Sequence, residues 1–319
     1  MEKTCEPFEY DGLIVVTPAD FKRLEALYPR LLETLPVRKL LFIGSGEVGE
    51  LLKEAALGER ADFIDENSII PFDKVYEVMS DALVETYPGK IPRGVVGWYY
   101  QQFLKLQYAF SCPDEYYLVW DGDTVPCKNF SMFKEGTQTP YFDMKTEYNE
   151  RYFETISLIF PEMYKCLGKS FVSEHMLFNK ALAKQMLEEI EGKENIKGRQ
   201  FYEKIVNVIE PSKLLETSFS EFETYGTYVA FRNPSLYRLK DWHSIRYGSV
   251  YFKAEELTEE DFDWLGKDFD AVSFEKNMDY NDDIAAIFIN PKYREQLTAR
   301  QIIEAIQDAS SEGMKETWE

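Results

Sequence analysis

The segment YYLVWDGDTVP, residues 116–126, carries five mostly apolar residues straight into two aspartates separated by one glycine. A run that is apolar on both sides suits a strand in the interior of a sheet. Asp121 and Asp123 then lie at the carboxyl end of that strand, where open α/β sheets gather their ligands. Two carboxylates one residue apart can approach one hard divalent cation. Mg2+ or Mn2+ would take its remaining ligands from water and phosphate oxygens. In this reading Gly122 leaves room for a diphosphate close to the backbone. A turn capped by two aspartates is the plainer alternative.

Working outward, the front half alternates strand and helix. LIVVT (13–17) is a β-branched run bounded by Asp-Gly and Pro18, and a helix is expected over 19–35. KLLFI (39–43) reads as a second strand, 47–57 as a second helix, and ADFIDEN (61–67) as a third strand ending in acids. This alternation predicts an α/β fold with parallel neighbours in a mixed sheet flanked by helices. Residues 94–110 form an amphipathic helix. Val96, Tyr99, Phe103, Leu106 and Phe110 mark one face, and Trp98, Gln101, Gln102 and Lys105 the other. Helices are also expected from His175 to Gly192 and over 201–210, and a strand-like run at the end of SFSEFETYGTYVAFR (218–232). The simplest division is a catalytic domain over 1–250 and a helical, acidic C-terminal extension over 251–319, packed on the same domain.

Bulk properties narrow the class. The chain has 319 residues, 45% hydrophobic and 29% charged, which are ordinary globular values. Aromatics reach 15%, enough for a large core and for sites that stack flat rings. With 36 basic against 57 acidic residues the net charge is −21, and no Lys/Arg run forms a basic patch. Nucleic acid is therefore not an expected partner. Residues 254–283 alone hold twelve acids and two bases, most simply a solvated acidic face. Cys5, Cys112, Cys127 and Cys166 show neither CxxC spacing nor a disulfide framework, which fits reduced thiols and a cytoplasmic setting. The start lacks a signal-peptide pattern, and no apolar run nears the ~20 residues of a spanning helix. Peripheral membrane contact stays open, and oligomeric state is not legible.

Two other motifs compete with the aspartate pair. Gly44-x-Gly46-x-x-Gly49 lies between a strand and a helix, with Asp62 and Asp65 further on, close to a dinucleotide fingerprint. A complete strand–helix unit precedes it, however, and Glu47 and Glu50 would set carboxylates beside a pyrophosphate. DGDTV also resembles a phosphatase-type motif, but Val125 stands where a threonine is needed, and Asp282–Asp283 lack a preceding apolar strand. A dinucleotide-binding oxidoreductase using 44–49 and a non-catalytic carbohydrate- or partner-binding protein remain the alternatives.

The chain resembles bacterial nucleotide-sugar glycosyltransferases of GT-A architecture. The resemblance rests on GWYYQQFLK (97–105), Asp121-Gly122-Asp123, EHM (174–176) and SEFETYG (220–226), and covers roughly residues 13–248. It implies a GT-A-like, Rossmann-related fold and transfer of a sugar, from a UDP-sugar in the first instance, to a glycan or other hydroxyl acceptor. The implied setting is synthesis of a surface polysaccharide or similar glycan. It places Thr17 at the border of the nucleotide, Asp65 near base or ribose, and Asp121 and Asp123 on Mn2+ or Mg2+ and the sugar diphosphate. It gives His243 as a further metal ligand and Arg246 as a phosphate contact.

Other residues are weighed singly. Lys105 on the Gln101/Gln102 face would pair with phosphate or with a core carboxylate. Arg93 would clamp phosphate or lie on the surface. Trp98 would stack on a ring or fill the core. His175, at an expected helix start, would touch acceptor or phosphate, or cap and pack. Inverting displacement needs a carboxylate to take the acceptor's proton. Glu221 is the first choice and Glu223 the second, both facing one side if the segment alternates. Ordinary surface acids are the bland reading.

Overall fold

The computed structural model describes residues 6–306 except Pro88 and Asn277. The main sheet is built from β1 (Gly12–Val15), β2 (Leu40–Gly44), β3 (Ala61–Asp65), β4 (Tyr116–Trp120) and β7 (His175–Asn179). Their order across the sheet is β3-β2-β1-β4-β7. The first four are parallel, with Gly12 beside both Leu40 and Leu118. β7 runs antiparallel to β4 and sets His175 opposite Trp120. The chain travels from β1 outward to β3, then returns to place β4 on the other side of β1. That reversal makes a topological switch point between the carboxyl ends of β1 and β4, the usual ligand crevice of such sheets.

Side-chain alternation sorts the sheet into two cores. Leu13, Leu41, Ile43, Tyr117, Val119 and Phe178 face one layer, which holds helices Phe72–Leu83, Arg93–Gln107, Lys180–Glu191, Phe201–Val208 and Glu221–Arg232. Ile14, Leu40, Phe42, Leu118, Trp120 and Leu177 face the other, with Phe21, Tyr28, Val48, Trp264 and Phe288. Three short strands flank this body as a second sheet. β5 (Thr124–Pro126) pairs with β10 (Ala271–Ser273), and β10 with β9 (Ser244–Ile245). A third, two-stranded sheet joins β6 (Tyr141–Met144) to β8 (Arg238–Asp241).

The expected mixed sheet flanked by helices is present, with local corrections. The helix expected over 19–35 is two helices, Pro18–Leu24 and Tyr28–Thr34, because Pro29 can only sit in a first turn. The helix expected from His175 is the strand β7, and the helix starts at Lys180, capped by Asn179. Five apolar-rich residues buried on both faces fit either period, so the sequence does not separate the two. SFSEFETYG does not alternate. Ser220 caps helix Glu221–Arg232, its Oγ accepting from Glu223 N at 3.2 Å. The S-x-x-E spacing of a capping box signals this, and the apolar run that follows reads as a strand because the helix is buried almost all round. The C-terminal segment is mostly helical, but its strand β10 lies beside the strand that follows the aspartate pair. Its last residues, 307–319, lie outside the described ones, as does Cys5. Cys112, Cys127 and Cys166 are free thiols. No helix among the described residues is long and apolar enough to cross a membrane.

Candidate active site

Four sequence motifs meet at the carboxyl end of β4 through side chains that no local pattern connects. Helix Arg93–Gln107 supplies the first. Gln102 Nε2 donates to Trp98 O at 3.0 Å, and Gln102 Oε1 accepts from Glu221 N at 3.0 Å. One turn on, Lys105 Nζ donates to Asp121 Oδ1 at 2.8 Å and to Glu221 Oε1 at 2.7 Å. Asp121 N in turn donates to Glu174 O at 2.8 Å. GWYYQQFLK, the aspartate pair, EHM and SEFETYG thus form one bonded network.

The network is buried on one side and open on the other. Lys105 is 3% exposed and Glu221 4%, whereas the Asp121 side chain is 32% exposed. Burial alone would lower the Lys105 pKa, but Asp121 and Glu221 outweigh it and hold the ammonium well above its usual range. Burial raises the Glu221 pKa, Lys105 opposes the rise and Asp121 adds to it. Asp123 is pushed up to about 6, first by burial and then by the neighbouring Asp121 charge, with Arg23 acting against both. The Asp123 carboxylate accepts a long bond from Thr124 Oγ1 at 3.4 Å, and its backbone oxygen accepts from Phe274 N at 2.7 Å. Arg23 donates to Phe274 O at 2.6 Å and pairs with Asp20 at 3.3 Å. Gly122 has a packing reason different from the expected one. A Cβ there would meet Ile14 Cγ2 at 2.7 Å, so the glycine lets the turn lie on β1.

Glu174 is a site residue that sequence reasoning quotes but gives no role. Its φ is +63°, a conformation that costs a non-glycine residue roughly 1–2 kcal/mol. Ala56 shares the sign, but there a helix ends in a left-handed cap. Glu174 is held beside Asp121 instead. Its Oε1 accepts from Ser244 Oγ at 3.0 Å and from Lys145 Nζ, and its Oε2 is buried without a partner among the described residues. No compositional signal marks it, since Glu has no left-handed preference.

The other expected site residues have ordinary structural partners. Thr17 and Asp65 lie just beyond β1 and at the end of β3, and both cap helices. Arg93 is exposed, 4.0 Å over the Phe72 ring and 3.9 Å from Glu66. Trp98 is partly buried and edge-on to Tyr99 at 4.8 Å. The Gln101 side chain makes no hydrogen bond among the described residues. Arg246 pairs with Glu275 at 2.7 Å and Glu147 at 2.8 Å. His175 is buried against Trp120, its Nε2 2.9 Å from Asp143 Oδ2 and its Nδ1 2.9 Å from Ser173 O. Glu223 lies about 200° around the helix from Glu221. It is 2% exposed and accepts from Ser170 Oγ at 2.5 Å and Phe171 N at 3.2 Å.

His243 is not brought to the aspartate pair. It lies 3.7 Å from Asp270, and Asp270 O accepts from Cys127 N. Cys127 is four residues beyond Asp123, about 13 Å along an extended chain. Among the described residues no three His, Cys, Asp or Glu side chains converge as a metal cage. Asp121 and Asp123 nonetheless offer hard oxygen donors of like charge, and Asp121 Oδ2 has no partner among the described residues. Such a pair fits a cation that takes the rest of its shell from phosphate and water. Cavities of about 580 and 180 Å3 lie elsewhere, near Thr155 and Lys213 and near Arg30 and Phe262.

The Gly44-x-Gly46-x-x-Gly49 loop follows β2, one strand away from the switch point. A Cβ on Gly44 would meet Val16 O at 2.6 Å, and one on Gly49 the Phe63 ring at 3.0 Å. Packing therefore accounts for two of the three glycines.

Among solved structures the chain is similar to mouse xyloside xylosyltransferase 1, apo form. The identity is 14% over 85% of this chain and 99% of that one, with a TM-score of 0.43. It is also similar to galactosyltransferase LgtC in complex with donor and acceptor sugar analogs, at 9% identity over 90% and 100%, TM-score 0.38. A third is the glycosyltransferase GlyE of Streptococcus pneumoniae TIGR4, at 10% identity over 95% and 64%, TM-score 0.34. No curated protein sequence matches the chain. Residues 43–312 match a family described as "Family of unknown function (DUF6492)", and the chain belongs to that family.

Proposed function

We propose that the protein is a metal-dependent glycosyltransferase that moves a sugar from a nucleotide-sugar donor, a UDP-sugar, to a hydroxyl of a glycan acceptor, in the synthesis of a polysaccharide. The observation that carries this reading is the bonded network Gln102–Glu221–Lys105–Asp121–Glu174 beside the switch point. It gathers the four motifs of the glycosyltransferase resemblance around the two aspartates.

Asp121 and Asp123 would hold the divalent cation, Mn2+ or Mg2+. Bound there, the cation supplies Lewis-acid neutralisation of the departing diphosphate. Lys105 and Glu221 fix the Asp121 carboxylate before any ligand arrives, so that no reorganisation is needed later. Burial and the Asp121 charge push the Asp123 pKa up to about 6, and a cation seated between the two carboxylates would relieve that repulsion. Thr17 and Asp65 line the carboxyl ends on the nucleotide side. Glu223 is sealed among Ser170 and Phe171 and does not serve as proton acceptor.

Thermal shift with UDP, GDP, CDP and NAD, each with and without Mn2+, tests this, because a ligand that binds only the native state raises the melting temperature. Stabilisation by a nucleoside diphosphate that requires Mn2+ and is lost in Asp121→Ala and Asp123→Ala is expected. Stabilisation by NAD, or by no metal–nucleotide pair, refutes the transferase reading.

A further inference from the structure

We infer that Glu221 is a positioning residue that acts on the cation seat through Lys105, and is not the group that receives the acceptor's proton. This deepens the transferase reading and rests on it. Glu221 is buried, its Oε1 accepts from Lys105, and its backbone N is tied to Gln102, one turn before Lys105 on the same helix. Lys105 Nζ also lies 4.9 Å over the ring of Phe222, the residue after Glu221. The ammonium is therefore fixed by Asp121, Glu221 and Phe222 together.

The consequence is electrostatic. A lysine alone beside Asp121 would cancel the charge that a divalent cation needs. Glu221 supplies a second negative charge, so the three groups carry one net negative charge and Asp121 keeps Oδ2 free of protein partners among the described residues. A carboxylate buried on the far side of Lys105 stabilises that arrangement but offers no path for an acceptor hydroxyl.

The test measures Mn2+ binding directly, by calorimetry without turnover, on the wild type, Glu221→Gln, Lys105→Met and the double variant. Donor KM and kcat follow where turnover is found. Glu221→Gln leaves the lysine on Asp121 alone and is expected to weaken Mn2+ binding about 10- to 100-fold, the usual effect of losing a partner outside the ligand shell. The double variant removes both buried charges and is expected to return to within about threefold of the wild type, since the two sites are coupled. Glu221→Asp keeps the charge, should retain Mn2+ affinity and most of kcat, and decides the question if the amide variant does not fold. Wild-type Mn2+ affinity in Glu221→Gln with kcat abolished would make Glu221 the proton acceptor and overturn the inference. Equal weakening in the single and double variants would overturn it too, since the loss would not pass through Lys105. Those two results leave the transferase reading standing. A wild type that binds neither Mn2+ nor Mn2+–UDP removes both.

Discussion

Lys105→Met removes the cation on which the network turns while keeping a stem of similar length. The Lys105 and Glu221 side chains are 4% and 6% exposed, so their 2.7 Å contact is a buried pair. Breaking such a pair from one side costs about 3–5 kcal/mol, chiefly because the remaining charge is left unpaired. Asp121, a third exposed, can turn to water and adds little. Loss of the desolvated cation above Phe222 adds up to about 2 kcal/mol. Urea denaturation near pH 8 should therefore show a loss of roughly 3–7 kcal/mol. The pH dependence gives a second check. Glu221 already has a raised pKa in the folded state, and the variant loses the lysine that restrains it. Between the unfolded and folded pKa values the folded protein holds a proton that the unfolded chain lacks, so its stability falls as pH rises. The deficit should shrink towards pH 5 and be largest at pH 8. A loss below about 1 kcal/mol, or a deficit equal at pH 5 and 8, would mean that Lys105 and Glu221 are not a buried pair.

Asp123 bears the same sign, with its window set by the folded-state pKa. Its folded pKa of about 6 lies above the ordinary carboxylate range, so Asp123→Asn should be more stable than the wild type at pH 8, with the advantage fading as pH falls through about 6. Parallel curves for the two proteins from pH 5 to 8 would show that Asp123 is not strained by burial and Asp121. Gly226→Ala tests the glycine of SEFETYG. Its Cβ would lie 2.2 Å from Phe171 Cγ, a buried ring, and overpacking of this kind costs about 1–3 kcal/mol. The urea midpoint should fall while Mn2+ affinity holds, and an unchanged midpoint would show that helix Glu221–Arg232 does not pack on Phe171 as described.

What the sequence disclosed follows from the range of its signals. Strand–helix alternation over 13–67 and the apolar run 116–120 are local patterns, and they place β1 to β4 and the acids at a strand end. β7 escaped because five residues buried on both faces carry no distinctive period. Helix Glu221–Arg232 escaped because a helix buried on all sides shows no polar face, although its Ser220 cap was readable. The site was legible only in part for another reason. Lys105, Asp121, Glu174 and Glu221 lie far apart in the chain, and nothing local says that they touch. Residue types pointed to Lys105 and Asp121, whereas Glu174 is marked only by a backbone angle and an unpartnered oxygen. Gly122 adds a contact with Ile14 that no local pattern announces.

The charge around the rim bears on why two aspartates belong there at all. A chain of net charge −21 repels a nucleoside diphosphate at long range. Nearby basic groups could offset this locally, but four of them are already engaged. Lys105 faces Asp121 and Glu221, Arg23 faces Asp20 and a carbonyl, Arg246 faces Glu147 and Glu275, and Lys145 faces Glu174. Diphosphate oxygens arriving alone would meet paired cations, the Asp121 Oδ2 that Lys105 leaves open and the Asp123 carboxylate, an unfavourable encounter on both counts. On the proposed reading, a divalent cation between them would make the same carboxylates ligands and would meet the diphosphate charge without breaking any of these pairs. The more completely the protein's own cations are occupied by its own acids, the more the binding of an anionic donor depends on a positive charge that comes from outside the chain.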